Sequence, residues 1–170
     1  MDSLIPKYQA LADTMGGNFG GLSVLNHVAS IKRLVKDRDC KTMLDFGCGR
    51  GDAYRSPHKL HHELGLSRHV VTLYDPAFRP SAALPTGTYD LVVCSDVLEH
   101  IPEGEVPAFV ARLFAYSRKA VWASVCCRPA KKNFPGTDVN MHVTIQPYTW
   151  WYDRFHEAVG DRAFALVETP

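Results

Sequence analysis

The feature that most constrains the fold is residues 43–53, which read MLDFGCGRGDA. An apolar strand runs there directly into glycines at positions 47, 49 and 51. Glycine adopts positive φ angles without steric cost and lets a ligand or another chain segment approach the backbone closely. In open parallel sheets, ligands bind just beyond the carboxyl ends of the strands. The stretch therefore predicts an α/β fold with a binding site that starts at residue 47.

Further apolar strands follow and alternate with helices. The 170 residues, 46% hydrophobic and 22% charged, are typical of one soluble globular domain. Strands that are apolar on both faces belong to parallel sheets covered by helices. We therefore predict a three-layer, Rossmann-like, doubly wound and mostly parallel sheet. Strands are predicted at 41–48, 69–75, 89–96, 119–127 and 163–168, and helices at 4–13, 22–39, 56–65, 102–117 and 147–160.

Charge and composition limit the domain organisation, the location and the binding partners that we expect. We expect a single domain over 1–170, with a helical cap at 1–38 and the core at 39–170. The net charge of +1 provides no basic field for nucleic acid or membrane. The first residues lack the pattern of a signal peptide, and no apolar run reaches the ~18 residues of a membrane span. Five cysteines form no CxxC pair, so a cysteine zinc site is not expected. These features predict a reduced, cytoplasmic protein with a small-molecule substrate, and give no oligomeric state.

Phosphate-binding loops fit the glycine spacing poorly. A Walker loop ends in Gly-Lys-Ser/Thr, and no such lysine is present. A dinucleotide loop reads G-x-G-x-x-G, whereas Gly51 comes one residue early. Asp52 would place negative charge where a pyrophosphate binds. Asp45, by contrast, supplies a carboxylate that suits a cationic ligand. An NAD-linked oxidoreductase and a tight turn without a ligand are the alternatives.

Three motifs in order carry a family resemblance. LDFGCGRGD resembles motif I of class I S-adenosylmethionine-dependent methyltransferases, VVTLYD places Asp75 at the end of the second strand, and YDLVVCSDVLEHIP resembles the fourth-strand segment of that superfamily. The resemblance implies that the cofactor is S-adenosylmethionine, with S-adenosylhomocysteine as product. It also implies the cofactor-binding residues, which are Asp45, Gly47, Cys48, Gly49, Gly51, Asp75, Pro76, Ser95, Asp96 and Val97.

The ends of the chain are similar to a group of small methyltransferases from bacteria and phages whose substrate is unknown. The matching residues are Tyr8 and Gln9, the stretch Phe19–Gly21, and a late segment with Gly136, Asn140, His142, Pro147, Trp150 and Trp151. One of the two tryptophans is expected to line the pocket. The core is reduced, because only a short loop separates Asp75 from Tyr89 where the superfamily has a third strand and its helix. A single strand, rather than a hairpin, follows Gly160.

The methyl acceptor is expected near two histidines. Methyl transfer from a sulfonium is an in-line displacement, so the protein mainly aligns the reactants, and a base is needed only if the nucleophile must lose a proton. His100 follows the third predicted strand, and His142 lies in the segment expected to cover the site. Each is a candidate catalytic residue. The alternative roles are orientation for His100 and loop anchoring for His142.

A metal site is a further alternative. Asp96, Glu99, His100 and His142 resemble the four metal ligands of small-RNA 3′-end 2′-O-methyltransferases, and carboxylate and imidazole suit a divalent ion. The main expectation is an enzyme without a metal that methylates an oxygen or nitrogen of a small or sugar-like molecule. The alternatives are a non-catalytic S-adenosylmethionine-binding or regulatory subunit and a metal-assisted RNA 2′-O-methyltransferase.

Overall fold

The computed structural model describes residues 5–14 and 19–170, apart from the side chains of residues 11–14. The strands are β1 (Met43–Phe46), β2 (Val71–Tyr74), β3 (Tyr89–Ser95), β4 (Ser117–Cys126) and β5 (Ala163–Thr169). They form one sheet in the order β2-β1-β3-β4-β5, and each neighbouring pair is parallel. The predicted α/β, Rossmann-like fold is confirmed, with the described sheet parallel throughout.

Helices lie on both faces of the sheet and complete the three layers. The α-helices of the described residues are α1 (Ile5–Thr14), α2 (Val28–Asp37), α3 (Leu60–Glu63), α4 (Val106–Tyr116) and α5 (Tyr148–Ala158). Helices α4 and α5 share one hydrophobic cluster with the sheet, and α2 and α3 share the other. The sheet is therefore covered on both sides, as its apolar strands require.

Strand β1 shows why these strands are apolar at nearly every position. Successive residues of a strand point to opposite faces. Phe46 packs against Phe109 of α4, with ring centroids 5.5 Å apart. Met43 lies in the opposite cluster together with Ile31 of α2, and both are fully buried. Both faces are thus core, and α2 is one of its layers although it falls within the predicted helical cap. The cap boundary at residue 38 stays a prediction.

The structure corrects three predicted helices. The helix expected at 22–39 is α-helical only over Val28–Asp37, after a 3-10 helix at Ser23–His27. The helix expected at 56–65 is reduced to α3, because Lys59 has a left-handed φ of 47° and the residues before it form turns. The helix expected from residue 102 begins at Val106, after a short 3-10 turn at Glu103–Glu105. Pro107 lies in its first turn, where the missing N–H costs nothing. The reduced core is as expected, since only the 3-10 turn Arg79–Ser81 separates β2 from β3.

The parallel strands bring all their carboxyl ends to one edge of the sheet. Phe46 at the end of β1 pairs with Tyr74 at the end of β2, and Ser95 at the end of β3 pairs with Ser124 near the end of β4. The motifs that follow β1, β2 and β3 therefore meet at this edge. Among the described residues, no helix has the length and apolar character needed to cross a membrane.

Candidate functional site

A cavity of about 780 Å³ opens at the carboxyl edge of the sheet. Its size is in the range typical of small-molecule and cofactor sites. Most of the residues predicted to bind a ligand or act on it line the cavity, namely Gly47, Gly49, Asp75, Pro76, Ser95, Asp96, Val97, His100 and His142. The predicted residues outside its lining are Asp45, Cys48, Gly51 and Glu99.

The loop after β1, residues 47–53, is called the glycine loop, and it packs closely against another segment of the chain. Gly49 has a φ of +56°, and a Cβ atom there would lie 2.4 Å from the carbonyl oxygen of Phe19. At Gly21 a Cβ would lie 1.9 Å from the carbonyl oxygen of Cys48. The Arg50 N–H donates to the Phe19 carbonyl at 2.9 Å. These contacts seat the segment Phe19–Gly21 directly on the loop, where it forms part of the cavity wall.

The two outer glycines of the loop face other neighbours. A Cβ at Gly47, which has a φ of +95°, would lie 2.3 Å from Cγ2 of Val97. A Cβ at Gly51, which has a φ of +70°, would lie 2.8 Å from Cδ1 of Leu73. All three positions have a positive φ that favours glycine, and Gly47 and Gly49 also line the cavity.

Asp75 sits at the end of β2 and is held by the loops around it. Its carboxylate accepts hydrogen bonds from the N–H of Gly49 at 2.8 Å and from the N–H of Ala77 at 2.9 Å. Burial raises the pKa of Asp75 above its ordinary value, although both N–H donors oppose that effect. A carboxylate has about four acceptor sites, so two donors leave capacity for hydroxyl groups of a ligand.

Asp45 lies beneath the glycine loop rather than in the cavity wall. It is 2% exposed, and its carboxylate accepts a hydrogen bond of 2.7 Å from the Tyr54 hydroxyl. Burial raises the pKa of Asp45 to about 7, and the hydrogen bond from Tyr54 only partly offsets it. Cys48 is buried beside it as a thiol. The loop thus separates Asp45 from the cavity, so Asp45 can influence a ligand by its charge but does not contact it directly.

The residue after β3, Asp96, has an unusual backbone conformation. Its φ is +52°, which is uncommon for a residue other than glycine and is characteristic of functional sites. The Ser124 hydroxyl donates to its Oδ1 at 2.7 Å, and the Thr169 hydroxyl donates to the same oxygen at 3.3 Å. Ser124 lies 3.1 Å from the hydroxyl of Ser95. This network fixes the orientation of the Asp96 carboxylate at the cavity.

The two histidines are oriented by backbone carbonyl groups. Nδ1 of His100 lies 2.9 Å from the carbonyl oxygen of Met141, and Nδ1 of His142 lies 2.6 Å from that of Arg128. Because a carbonyl oxygen only accepts, each Nδ1 carries a proton, and in the neutral form of each ring the lone pair is therefore on Nε2. Burial lowers the pKa of His100 to about 4, so its imidazole is neutral near pH 7. The ring centroids are 5.0 Å apart.

Glu99 is buried next to these rings. It is 1% exposed, its Oε1 accepts from the Cys126 N–H at 3.2 Å, and its Oε2 has no hydrogen-bond partner among the described residues. Burial raises the pKa of Glu99 to about 8. Glu99, His100 and His142 each offer a ligand atom within 4.8 Å of the others. Of the four residues in the predicted metal set, the structure brings together these three.

Helix α1 and the loop at 128–146 cover the cavity. The Tyr8 hydroxyl lies 2.8 Å from Nδ1 of His100 and donates to the Met141 carbonyl at 3.1 Å. The Asn140 side chain braces the loop, since its Oδ1 accepts from the N–H groups of Ala130 and His142, and its Nδ2 donates to the Ala130 carbonyl. Asn140 thus positions His142.

Sequence reasoning missed several lining residues and misjudged the tryptophan pair. Trp151 is fully buried in the core and Trp150 stacks with Arg154 at 4.8 Å, so neither lines the cavity. The side chains that sequence reasoning did not assign to the cavity approach from distant segments and include Tyr8, Phe19, Phe78 and Met141. Only the similarity of the chain ends to small methyltransferases gave a signal for Tyr8 and Phe19.

Comparisons with known proteins give one match. A family model described as a methyltransferase domain matches residues 26–163, which is most of the chain. Neither a curated protein nor a solved structure matches the sequence.

Replacing Gly49 with alanine tests the seating of Phe19–Gly21 on the loop. Gly65→Ala is the matched control, because Gly65 also has a positive φ, +74°, but a Cβ there meets nothing within 4 Å. The control substitution should lower the free energy of unfolding by about 1–2 kcal/mol, because only the backbone conformation penalises it. Gly49→Ala should cost at least ~2 kcal/mol more in urea unfolding, because overpacking against a backbone atom adds strain. Equal losses in the two variants would contradict the proposed packing.

The pH dependence of stability tests the environment of Asp45. Because its pKa is raised from 3.8 to about 7, the folded state binds this proton more tightly than the unfolded state. The contribution is therefore present below the unfolded value and is lost as the pH rises toward the folded value. The free energy of unfolding should fall by roughly 2–3 kcal/mol more in the wild type than in Asp45→Asn between about pH 5 and pH 7.5. Parallel pH profiles would show that Asp45 is ionised in the fold.

Proposed function

The chain belongs to the methyltransferase domain family, and from that premise we propose that it transfers a methyl group from S-adenosylmethionine to an oxygen or nitrogen of a small or sugar-like molecule. The single observation that carries the proposal is the position of Asp75. Its half-buried carboxylate ends β2 and faces the cavity beside two glycines of the loop. An acid at this place in Rossmann-like folds accepts the hydroxyl groups of a ribose.

The residues around the cavity fit the proposed cofactor. The volume of about 780 Å³ accommodates a nucleoside with an amino-acid side arm and leaves room for an acceptor. Gly47 and Gly49 line the cavity, and Asp75 offers acceptors to the ribose. Phe19 and Phe78 line the same region with ring centroids 6.3 Å apart, which suits an aromatic base.

The acidic groups explain why this loop suits a cation better than a phosphate. Asp45 and Asp75 lie close enough for the charge of Asp75 to raise the pKa of Asp45. Neither residue forms an ion pair with a lysine or arginine among the described residues. The ammonium and sulfonium charges of S-adenosylmethionine would be stabilised by such carboxylates, whereas a diphosphate would be repelled.

When bound, S-adenosylmethionine supplies a methyl group activated by the positive charge on sulfur. The contribution of the chain is to align the acceptor and to exclude water, and alignment accounts for about 7–11 kcal/mol in comparable cases. We place the acceptor beside Asp96, His100 and His142, which line the cavity. With a pKa of about 4, His100 is a weak base at neutral pH and is better suited to hold the acceptor through a hydrogen bond.

The cover of the cavity supports a small acceptor. Helix α1 and the loop 128–146 pack against each other through Tyr8 and Phe134, whose ring centroids are 5.4 Å apart. Arg128 and Lys131 line the cavity from the loop, and both are exposed. This gives the mouth local positive charge on a chain of net charge +1, which favours an acceptor with an anionic group.

Calorimetry with S-adenosylhomocysteine tests the cofactor and the role of Asp75. We expect binding to the wild type and a loss of about 10–100-fold in Asp75→Ala, because hydrogen bonds to a charged group are removed. The matched control is Asp52→Asn, a nearby acid in the loop after β1 that pairs with Arg50 and Arg55 and does not line the cavity. It should bind normally. Tighter binding of NAD than of S-adenosylhomocysteine would overturn the proposal.

Transfer itself is tested with S-adenosylmethionine labelled on its methyl group and a metabolite extract. We expect label in a low-molecular-weight product that is absent when the Asp75→Ala variant is used. The product, once isolated, identifies the acceptor by mass spectrometry. Intact binding of S-adenosylhomocysteine without any labelled product would instead favour a non-catalytic binding subunit.

A further inference from the structure

We infer that Glu99, His100 and His142 form a binding site for a divalent transition-metal ion in the wall of the cavity. One ligand atom from each residue lies within 4.8 Å of the other two, a spacing that a single ion can bridge. His100 and His142 line the cavity, and Glu99 lies behind them. The three residues come from two segments, and the second segment is the covering loop.

The histidines are prepared for coordination. Metal-binding histidines usually donate their other ring N–H to a backbone carbonyl or a carboxylate, which fixes the tautomer and the ring orientation. Both rings meet this condition, since Nδ1 of His100 donates to Met141 and Nδ1 of His142 donates to Arg128. In the neutral form of each ring, the lone pair is then on Nε2. The two rings are neighbours, with centroids 5.0 Å apart, so both imidazoles can contribute to one site.

Glu99 supplies the independent observation that points to a ligand. Its side chain is 1% exposed, and Oε2 has no hydrogen-bond partner among the described residues. A buried acceptor without a partner is costly unless something compensates it. Oε1 is already held by the Cys126 N–H, which fixes the carboxylate in place. A cation between Glu99 and the two imidazoles compensates the unpartnered oxygen and accounts for the acid in this position.

The chemistry of the three ligand atoms indicates which class of metal ion the site would bind. Two imidazole nitrogens and one carboxylate oxygen are the ligands of catalytic zinc sites, in which the remaining position is open. Mg²⁺ and Ca²⁺ prefer sets of oxygen ligands and are poor matches for two imidazoles. Zn²⁺ and Co²⁺ therefore fit this site best. In such a site the remaining position would be open to the cavity, because both histidines line it.

This open position suggests what the ion does, and that part of the inference rests on the proposed function. A hydroxyl group bound to such an ion becomes more acidic, in the way that zinc lowers the pKa of a bound water. Neither histidine would then have to act as a base. The acceptor class that follows is a hydroxyl-bearing molecule. Its oxygen would form the new C–O bond as the S–CH3 bond of S-adenosylmethionine breaks, S-adenosylhomocysteine would leave, and the hydroxyl proton would pass to solvent water at the cavity.

Titration of the full-length protein with Co²⁺ after treatment with EDTA tests the site. Calorimetry should give one Co²⁺ per chain, and the visible spectrum should show coordination by nitrogen and oxygen. Glu99→Gln keeps the shape of the side chain, and His142→Ala changes a half-buried position, so both variants should fold. Each should weaken Co²⁺ binding by at least ~10-fold. No binding by the wild type, or unchanged binding by both variants, would overturn the inference.

A control separates this site from adventitious binding. His58 and His62 are exposed and belong to the other histidine cluster of the chain. The double variant His58→Ala/His62→Ala should bind Co²⁺ as the wild type does, and loss of binding in it would contradict the assignment to Glu99, His100 and His142.

Measurements with and without the ion separate this inference from the proposed function. If the protein binds S-adenosylhomocysteine in EDTA but never binds Co²⁺, the metal site alone is contradicted. If it binds Co²⁺ but not S-adenosylhomocysteine, the proposed function alone is contradicted. Methyl transfer to oxygen that stops in EDTA and returns with Zn²⁺ supports the role of the ion. Transfer that is indifferent to EDTA contradicts that role.

Discussion

The contact between the glycine loop and the segment Phe19–Gly21 is the constraint on which the site depends. Two backbone hydrogen bonds of 2.9 Å join them, from Arg50 to Phe19 and from Asp52 to Gly20. The contact is possible only because neither Gly49 nor Gly21 has a Cβ atom. It turns an open sheet edge into a walled cavity, since segment 19–21 lies across the loop that follows β1. The glycines thus serve the protein's own packing as well as ligand access.

Two buried acids lie just behind the wall of the cavity. Asp45 lies under the loop after β1, and Glu99 lies behind the histidines; they are 2% and 1% exposed. Burial raises the pKa of both carboxyl groups into the neutral range. Retaining acids where they are costly is typical of functional sites. A cationic cofactor on one side and a metal ion on the other would each compensate one of them.

Helix α1 and the loop 128–146, which cover the site, are held together by a small separate hydrophobic cluster. Phe134 and Met141 are buried against Tyr8 and Phe19, apart from the two main hydrophobic clusters of the sheet. Thr144 connects the end of the loop to the turn after β3. Its N–H donates to the Glu99 carbonyl, and its hydroxyl donates to the Ile101 carbonyl. The loop is therefore coupled directly to the residues that carry Glu99 and His100, and its position sets that of His142.

The sequence by itself determined the fold class, the five strands and the edge where the site lies, because the period of apolar residues and the glycine positions are local signals. It also placed Asp75 at the end of β2. Only the tertiary structure decided that Asp45 binds Tyr54 beneath the loop, that Trp151 is core, and which atoms of the histidines are free. Those outcomes depend on contacts between distant residues, such as Tyr8 with His100, 92 positions apart. Local patterns carry no information on such pairs, since the packing of the whole chain brings them together.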